Sequence, residues 1–457
     1  MVRARATIGA RVENKQRVLL DSAPRSKNIE MKIIIKNGRL IDPANKIDGV
    51  YDILVEGAKI VKVAKDIRLA ADKVIDAAGK IVMPGLVDMH VHLREPGRED
   101  KETIATGTQA ALKGGVTSVL AMPNTEPPID CVKALSLEKS LIKKTAHVNV
   151  YICGSITKGR LGKELVDIAQ LKKEGVIAIT DDGASVDDEG LLLEAFKQAR
   201  KADIPVICHC EDKALSGKGV VNRGIVATRM GLRGISSESE YQRVARDIRL
   251  AQKAGAQVHI AHVSCKESVE IIAKAKKSGV KVTAEATPHH FTFSQEAVLG
   301  FDTNFKMNPP LRGKTDLAAI REGLKNGVID AIASDHAPHT ENEKDIEFDR
   351  AEFGVIGLET ELAAAISELV ENNILSWPGL VEKLSLNPAK ILKINKGSLG
   401  QGADADIVII DPAKEWVVSK DSLSSKSKNS SFLGRRLKGV VEYVILGGKL
   451  VTTEKLL

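Results

Sequence analysis

The spacing of hydrophobic and polar residues along the chain changes twice. Residues 31–81 form short alternating runs that are broken by turn signals such as Asn37-Gly38, which is typical of strands joined by tight turns. A second set of short alternating runs occupies residues 406–446. Each set is too small to bury a core by itself, so the pattern predicts that strands from both chain ends pair in one composite β-sandwich.

The long middle of the chain alternates between apolar runs and segments with helical spacing, such as Glu99–Lys113 and Glu189–Lys201. The eight apolar runs are, in order, VDMHVHL, TSVLAMPN, VNVYICGSI, VIAITDD, IPVICHCE, QVHIAHVS, VTAEATPHH and DAIASDH. Near-continuous apolar strands that alternate with helices indicate parallel strands covered on both faces. Eight such units predict an α/β fold, a (β/α)₈ TIM-type barrel.

These changes in spacing divide the chain into four predicted segments. We expect a basic and disordered tail at 1–30, the first part of the β-sandwich at 31–82, the barrel at 83–393 and the second part of the sandwich at 394–457. The tail lacks the apolar core of a secretory signal, and Met31 opens a clean strand.

The amino-acid composition argues against several classes of protein. The chain is 43% hydrophobic and 28% charged, which excludes disorder as its main state, and aromatic residues make up only 3%, which argues against stacking on nucleic-acid bases. About half of the net charge of +7 falls within residues 1–30, so the remainder predicts a solvated surface and no nucleic-acid partner. No apolar run approaches the roughly 18 residues of a membrane span. Five cysteines, an odd number, predict reduced thiols and a cytoplasmic protein.

The histidines point to the catalytic face. Of ten, only His147 and His259 lie near the beginning of a predicted strand. The other eight lie at or just after strand ends: His90, His92, His209, His262, His289, His290, His336 and His339. Active sites of such barrels form at the carboxyl ends of the strands, so these groups are expected to meet there.

His90 and His92 are two residues apart at the end of the first barrel strand, so both are expected to point into the barrel mouth while Val91 faces outward. Two neutral imidazoles on one side form half of a metal site. By the same alternation, Cys208 and Cys210 should point outward and pack as small apolar residues.

His209 and His262 add one imidazole each from the fifth and sixth strands. A carboxylate from the pair Asp181-Asp182 and the carboxylate of Asp335 complete the set. Four histidines and two carboxylates exceed the needs of one tetrahedral ion and fit two divalent ions bridged by a carboxylate. A water held between two such ions ionises near neutral pH, which predicts hydrolysis at an electrophilic carbonyl carbon.

Eight segments together resemble the dihydroorotases of the amidohydrolase superfamily, in the type that has an aspartate in place of the bridging carboxylated lysine. The segments are HVHLREPG, MPNTEPP, TDDG, CHCED, AHVS, MNPPLR, SDHAPHT and EFGVIGLET. The resemblance spans roughly residues 31–450. It implies the reversible cyclisation of N-carbamoyl-L-aspartate to L-dihydroorotate in de novo pyrimidine biosynthesis.

The resemblance also implies roles for individual residues. One metal, usually zinc, would be bound by His90, His92 and Asp335, and a second by His209 and His262. Asp182 would bridge the two ions, with the neighbouring Asp181 as the alternative. Asp335 would also be the general acid and base.

The implied substrate ligands are His92, Arg94, Asn124, Asn308, His339, Phe353 and Gly354. A guanidinium two residues beyond a metal ligand suits an anionic substrate, because it can bind a carboxylate bidentately. One departure is Glu352, which stands where the family commonly has proline before the Phe-Gly pair. We expect the charged segment 340–349 to be a mobile loop, and His289 and His290 to support the site from outside.

Three alternatives remain open at this stage. Hydantoinases and dihydropyrimidinases share the barrel but typically use a carboxylated lysine at the fourth strand, where this chain has Ala178-Ile179-Thr180-Asp181-Asp182. Allantoinase is a nearer rival, against which Arg94 and Asn124 favour a substrate carboxylate. An inactive scaffold of aspartate carbamoyltransferase is disfavoured because every ligand is present. An active enzyme that associates with that transferase, and a homodimer, are compatible with the sequence.

Overall fold

The computed structural model describes residues 31–452. The predicted tail at residues 1–30 lies outside the described residues. The described chain opens with strands β1 Lys32–Lys36, β2 Arg39–Asp42, β3 Ile47–Val50, β4 Asp52–Glu56, β5 Lys59–Ala64, β6 Lys73–Asp76 and β7 Ile81–Pro84.

The middle of the chain supplies eight barrel strands and a small two-stranded sheet after the fifth of them. The barrel strands are β8 Leu86–Val91, β9 Val116–Ala121, β10 Asn149–Gly154, β11 Ala178–Ile179, β12 Val206–Cys208, β15 Val258–Ile260, β16 Val282–Ala286 and β17 Ala331–Ile332. The small sheet consists of β13 Val221–Asn222 and β14 Gly234–Ile235. The chain closes with β18 Ile407–Val417, β19 Arg436–Leu446 and β20 Lys449–Thr452.

Helices connect the barrel strands and cover their outer face. They are α1 Ile104–Lys113, α2 Val132–Thr145, α3 Ile168–Lys173, α4 Glu189–Ala202, α5 Lys213–Ser216, α6 Ile225–Met230, α7 Glu238–Ala254, α8 Lys266–Lys277, α9 Pro288–Thr292, α10 Lys314–Lys325, α11 Glu341–Lys344, α12 Glu361–Ala365, α13 Trp377–Val381 and α14 Asn387–Leu392. Two π-helical segments, Ile366–Val370 and Glu382–Leu386, continue α12 and α13. Short 3₁₀ helices lie at Pro43–Asn45, Lys158–Arg160, Gln295–Gly300 and Thr303–Phe305.

The barrel predicted from the sequence is confirmed. All neighbouring pairs of barrel strands are parallel, in the order β17-β16-β15-β12-β11-β10-β9-β8. A parallel bridge between Val91 and His336 joins the two ends, and the amide of His92 donates to the carbonyl of His336 at 2.9 Å. Side chains alternate across each strand, so Ile207 packs inside the barrel whereas Val206 and Cys208 pack against the helices.

The composite β unit predicted from both chain ends is also present. β18 pairs with β7 in antiparallel fashion, with Val408 opposite Met83, and a six-stranded sheet runs β20-β19-β18-β7-β2-β3. A four-stranded sheet, β5-β4-β1-β6, packs on it through shared buried residues that include Ile33 of β1 and Ile409 of β18. The two sheets therefore bury one core that neither chain end could bury alone.

Two helix boundaries differ from the prediction near the catalytic face. Helix α1 begins at Ile104 rather than Glu99, because Thr103 caps it by accepting a hydrogen bond from the amide of Thr106 at 3.1 Å. Residues 92–103 consequently form a long loop above the barrel. The prediction of a loop throughout 340–349 is wrong, because Thr340 caps the short helix α11 together with Glu343.

Candidate active site and metal centre

A cavity of about 320 Å³ opens at the carboxyl ends of the barrel strands. It is lined by all but one of the metal and substrate ligands that the resemblance implies: His92, Arg94, Asn124, Asp182, His209, His262, Asn308, Asp335, His339, Phe353 and Gly354. His90, the exception, is fully buried directly behind the lining. The histidines and carboxylates that the sequence places on separate strands thus converge on one site.

The first strand brings in His90 and His92. A register shift between Asp88 and Val91 interrupts the pairing of β8 with β9, and such bulges re-aim side chains beside active sites. Val91 packs outward against the helices, as predicted, while the His90 and His92 rings lie 5.3 Å apart at the barrel mouth. Asp88 supports the bulge by accepting the amide of His90 at 3.0 Å.

Both imidazoles direct the same nitrogen into the cluster. His90 Nδ1 lies 2.6 Å from Glu285 Oε1, and His92 Nδ1 lies 2.8 Å from Asn124 Oδ1. Each Nδ1 therefore carries the proton that it donates to an oxygen, which leaves the lone pair on Nε2. The two Nε2 atoms approach Asp335 Oδ1 at 3.5 and 3.2 Å.

Asp182, and not Asp181, faces the histidines. Its Oδ1 lies 3.4 Å from His90 Nε2, and its Oδ2 lies 3.4 Å from His92 Nε2. Asp181 turns away to accept hydrogen bonds from the amides of Ile156 and Thr157 at 2.8 and 3.1 Å. The two neighbouring carboxylates thus have separate tasks, one at the cluster and one in the support of the loop after β10.

The fifth and sixth strands add the other two imidazoles. His209 Nδ1 and His262 Nε2 lie 2.9 Å apart, and 3.6 and 3.7 Å from Asp182 Oδ1. His209 donates its Nε2 proton to Glu211 at 3.2 Å, which leaves Nδ1 as the nitrogen with a lone pair. Asp182 therefore lies between a His90/His92 pair and a His209/His262 pair.

Three residues of the site hold a backbone conformation that side chains rarely adopt. The φ angles of Arg94, His262 and Asp335 are +63°, +32° and +48°. Residues held in such conformations cost about 1–3 kcal/mol each and cluster at active sites. The backbone before Asp335 is held in place by Asp88, whose Oδ1 accepts a hydrogen bond from the amide of the preceding Ser334 at 3.2 Å.

The donor set fits divalent cations. Among residues 31–452, His90 Nε2 and Asp182 Oδ1 are buried without a hydrogen-bond partner, which is costly unless a ligand satisfies them. Ligand atoms within 4.8 Å of one another come from two triads, His90/His92/Asp335 and His90/Asp182/His262. Imidazole nitrogens with carboxylate oxygens are the ligands that zinc and similar ions prefer.

The pKa shifts within the cluster also favour a bound cation. Burial raises the pKa of Asp335 and Asp182, but the surrounding histidines outweigh it and hold both pKa values below the usual carboxyl range. Burial lowers the pKa of His92. Burial also lowers the pKa of His90 and His262, but the neighbouring carboxylates outweigh it and raise both pKa values. The ionised carboxylates therefore favour positive charge in the cluster, which a bound cation would supply in place of protons.

The opposite end of the cavity is cationic. Burial lowers the pKa of Arg94 to about 10, so its guanidinium stays charged at neutral pH, and its Nε donates to the carbonyl of Pro338 at 3.2 Å. His339 Nε2 lies 3.4 Å from Arg94 Nη2 and donates to the carbonyl of Phe353 at 2.8 Å. Gly354 must be glycine, because its φ is +126° and a Cβ would lie 2.7 Å from the Cβ of Ala337.

Asn308 enters the cavity from the loop after α9, and its amide donates to Glu211 Oε2 at 3.0 Å. Glu211 thus links Asn308 to the His209 ring. Glu352, which departs from the family pattern, lines the same cavity beside Phe353, so the Phe-Gly pair still reaches the site.

Three of the eight histidines at strand ends contact neighbouring loops and rings outside the cavity. His290 lies between Thr287 Oγ1 and the carbonyl of Pro309, at 2.8 and 3.0 Å. His289 stacks beside it at 4.5 Å between ring centres, and His336 accepts the amide of Gly357 at 3.2 Å. None of these three lines the cavity described above.

The sequence did not reveal the residues that hold the candidate metal and substrate ligands in place, which are Glu285, Glu211 and Lys101. Glu285 is fully buried in β16, where its two oxygens bind His90 Nδ1 at 2.6 Å and His259 Nε2 at 3.0 Å. A charged residue inside the otherwise apolar run VTAEA was the available signal, because a fully buried carboxylate requires partners.

Replacing Glu285 by Gln is expected to weaken metal binding about 10–100-fold, which is typical when a partner of a ligating histidine is lost. A Gln side chain has only one acceptor oxygen, so it can no longer accept hydrogen bonds from both His90 and His259. Competition with a chelator measures the change. Glu138→Gln is the matched control, since Glu138 is equally buried and burial raises its pKa to about 8, so that it is already neutral. Equal metal affinity in the Glu285→Gln variant and the unchanged protein would contradict the assignment.

No helix within residues 31–452 combines the length and the apolar character needed to cross a bilayer.

Comparisons with known proteins add the family. A family model described as dihydro-orotase-like matches residues 79–268. A dihydroorotase of Elusimicrobium minutum is 55% identical over 92% of this chain and 97% of its own length. A dihydroorotase of Pelotomaculum thermopropionicum is 50% identical over 93% of this chain and 100% of its own.

Solved structures with the same fold include an L-hydantoinase (dihydropyrimidinase) from Arthrobacter aurescens. It is 27% identical, has a TM-score of 0.83, and the match covers 92% of this chain and 96% of that one. The hydantoinase therefore shares the architecture at low identity, whereas the dihydroorotases share about half of the residues over nearly the full length. The resemblance found in the sequence is confirmed: this chain belongs to the dihydroorotase family of cyclic-amide hydrolases.

Proposed function

We propose that the cavity performs the reversible cyclisation of N-carbamoyl-L-aspartate to L-dihydroorotate, with two zinc ions held by the histidine–aspartate cluster. The observation that carries this proposal is the placement of two opposite environments in one cavity. One end gathers metal-type ligands, and the other end presents the buried Arg94 guanidinium. A small anion with a hydrolysable ring amide requires both.

We assign His90, His92 and Asp335 to one ion, His209 and His262 to the other, and Asp182 to both. The contacts of Asp182 support a bridging role, because its Oδ2 faces His92 while its Oδ1 faces His90 as well as His209 and His262, so the carboxylate lies against both histidine pairs. Divalent ions in such a site supply activation of water as a nucleophile and polarisation of the carbonyl group under attack.

Asp335 is the proposed general acid and base. Its lowered pKa keeps it ionised at neutral pH, so in the hydrolytic direction it can take the proton of the attacking water. It then delivers that proton to the amide nitrogen that leaves the carbonyl carbon. In the synthetic direction the same carboxylate takes the proton from the carbamoyl nitrogen as that nitrogen attacks the protonated side-chain carboxyl group. It then returns the proton to the departing hydroxyl group, which leaves as water.

The other residues bind and orient the substrate. Arg94 offers a planar pair of donors to the substrate carboxylate, and His339 lies beside it at the same end of the cavity. Asn124 orients His92 through its carbonyl oxygen, which leaves its amide group as a donor to the substrate. Asn308 and the backbone of Phe353 and Gly354 complete the binding set.

Arg94→Lys is expected to raise KM by about tenfold or more while it changes kcat much less. A point charge replaces a bidentate fork, so ground-state and transition-state binding weaken together. Steady-state kinetics in both directions measure the split. Arg98→Lys, on the same loop but paired with the exposed Asp100 and the half-buried Glu343, serves as the control. A fall in kcat with an unchanged KM would contradict the binding role.

An assay of dihydroorotate, allantoin and hydantoin side by side tests the substrate. We expect dihydroorotate to be strongly preferred. The fourth strand offers no lysine for carboxylation, and its end supplies Asp181 and Asp182 instead, which disfavours a hydantoinase. Preference for allantoin or hydantoin would overturn the substrate assignment and leave the metal assignment intact.

The remaining proposals concern context. We propose an active cytoplasmic enzyme rather than an inactive scaffold, because every ligand is present and converges. Association with aspartate carbamoyltransferase and formation of a homodimer are compatible with this, and sedimentation of the purified chain with and without the transferase tests both. We retain the division at residues 31–82, 83–393 and 394–457, which limited proteolysis tests.

A further inference from the structure

A buried lysine lies behind the anion-binding end of the cavity. Lys101 belongs to the loop between β8 and α1, and it is 5% exposed. Its Nζ donates to His339 Nδ1 at 3.1 Å and lies 2.9 Å from Glu343 Oε1. Its backbone is held as well, since its carbonyl accepts from Ser427 Oγ at 2.6 Å. A lysine that is buried and fixed at both ends requires an explanation.

The contact with Lys101 determines which nitrogen of His339 carries the proton. An ammonium group only donates, so His339 Nδ1 must accept and must be unprotonated. The single ring proton of the neutral imidazole therefore resides on Nε2, the nitrogen that faces Arg94 and Phe353. In the opposite tautomer Nε2 would present a lone pair to the carbonyl oxygen of Phe353 at 2.8 Å, and the two would repel.

We propose that Lys101 is a positioning residue of the substrate-carboxylate site: it fixes His339 in the tautomer whose Nε2–H donates to the Phe353 carbonyl, and it thereby holds the His339 ring and the Phe353-Gly354 backbone in place at the end of the cavity where Arg94 lies. This inference rests on the proposed function, because it assumes that a carboxylate binds at this end of the cavity. Glu343 also holds the ammonium group in place, with its Oε1 2.9 Å from Lys101 Nζ and its Oε2 3.5 Å from His339 Nδ1.

The test compares Lys101→Met with Arg98→Met in the full-length enzyme. Methionine retains the length of the lysine chain and removes the donor. Arg98 shares Glu343 with Lys101, at 2.9 Å, but has no contact with His339 among the described residues. We expect Lys101→Met to raise KM for dihydroorotate about 10–100-fold, which is the usual effect of losing a hydrogen bond to a charged group, with little change in kcat or metal content. Arg98→Met should leave KM within about threefold of the unchanged enzyme.

Three further measurements separate positioning from mere structural support. Inhibition by orotate should weaken in Lys101→Met, whereas inhibition by orotamide, which lacks the carboxylate charge, should change little. In a His339→Ala background the Lys101→Met change should have no further effect on KM, because the lysine acts through that ring. Lys101→Arg should restore part of the loss, since it retains a cationic donor.

Equal weakening of orotate and orotamide, or full additivity with His339→Ala, would overturn the role of Lys101. Failure of the unchanged enzyme to act on dihydroorotate would overturn the proposed function instead. The two failures are therefore distinguishable.

Discussion

Asp335→Asn is expected to lower turnover by about three orders of magnitude or more in both directions. General acid–base catalysis alone contributes about 10²–10⁴-fold, and this residue is also a proposed metal ligand. Asparagine has nearly the same shape but cannot take a proton from water or return it to the leaving nitrogen. It also places an amide where His90 Nε2 and His92 Nε2 now face a carboxylate at 3.5 and 3.2 Å.

The two roles of Asp335 are separated by measuring kcat and metal content on the same samples. A large loss of kcat with at least one ion retained per chain identifies the proton-transfer role. Asp330→Asn is the matched control at the other end of the same strand, where Asp330 pairs with Lys276 at 2.6 Å, far from the cavity lining. It should lower the melting temperature without lowering kcat. Full turnover in Asp335→Asn would contradict the proposed mechanism.

The sequence predicts the fold and the ligand types well because both depend on local rules. Period-two alternation places His90 and His92 on the same side, and parallel strands bring their carboxyl ends to one face. The same alternation puts Cys208 and Cys210 outside, where Cys210 Sγ donates to Asp247 of α7 at 3.5 Å. Both cysteines pack in the apolar core between the strands and the helices, and neither lines the cavity.

The sequence could not choose between Asp181 and Asp182 from its pattern alone. Strand β11 is only Ala178–Ile179, so alternation cannot be carried forward to residues that follow it by two or three positions. The choice depends on the amides of Ile156 and Thr157, which lie in the loop after the preceding strand, β10, and donate to Asp181.

The sequence missed Glu285 and Lys101 for a related reason. Their partners, His90 and His339, are about 195 and 238 positions away along the chain, so no spacing pattern connects them. Lys101 also lies within the segment that the periodicity assigned to a helix, where a lysine is expected on the solvated face. The capping of α1 by Thr103 moved it into the loop above the barrel.

Asp182→Ala is expected to lower the metal content from two ions per chain to well below one and to abolish measurable turnover. Its carboxylate faces both histidine pairs, at 3.4 Å from His92 Nε2 and 3.6 Å from His209 Nδ1, so its removal withdraws a ligand from both ions at once. His209→Ala should mainly remove one ion, because His209 serves only one pair. Elemental analysis after dialysis measures both.

Asp181→Asn provides the matched control for that experiment, one residue away and equally buried. It should keep both ions, because Asp181 does not face the cluster. Its loss of charge weakens hydrogen bonds from the amides of Ile156 and Thr157 and lowers the free energy of unfolding by about 1–3 kcal/mol, which thermal denaturation detects. If Asp182→Ala retained two ions, or if Asp181→Asn lost them, the bridging assignment would be wrong, because the two carboxylates differ only in the direction that the backbone gives them.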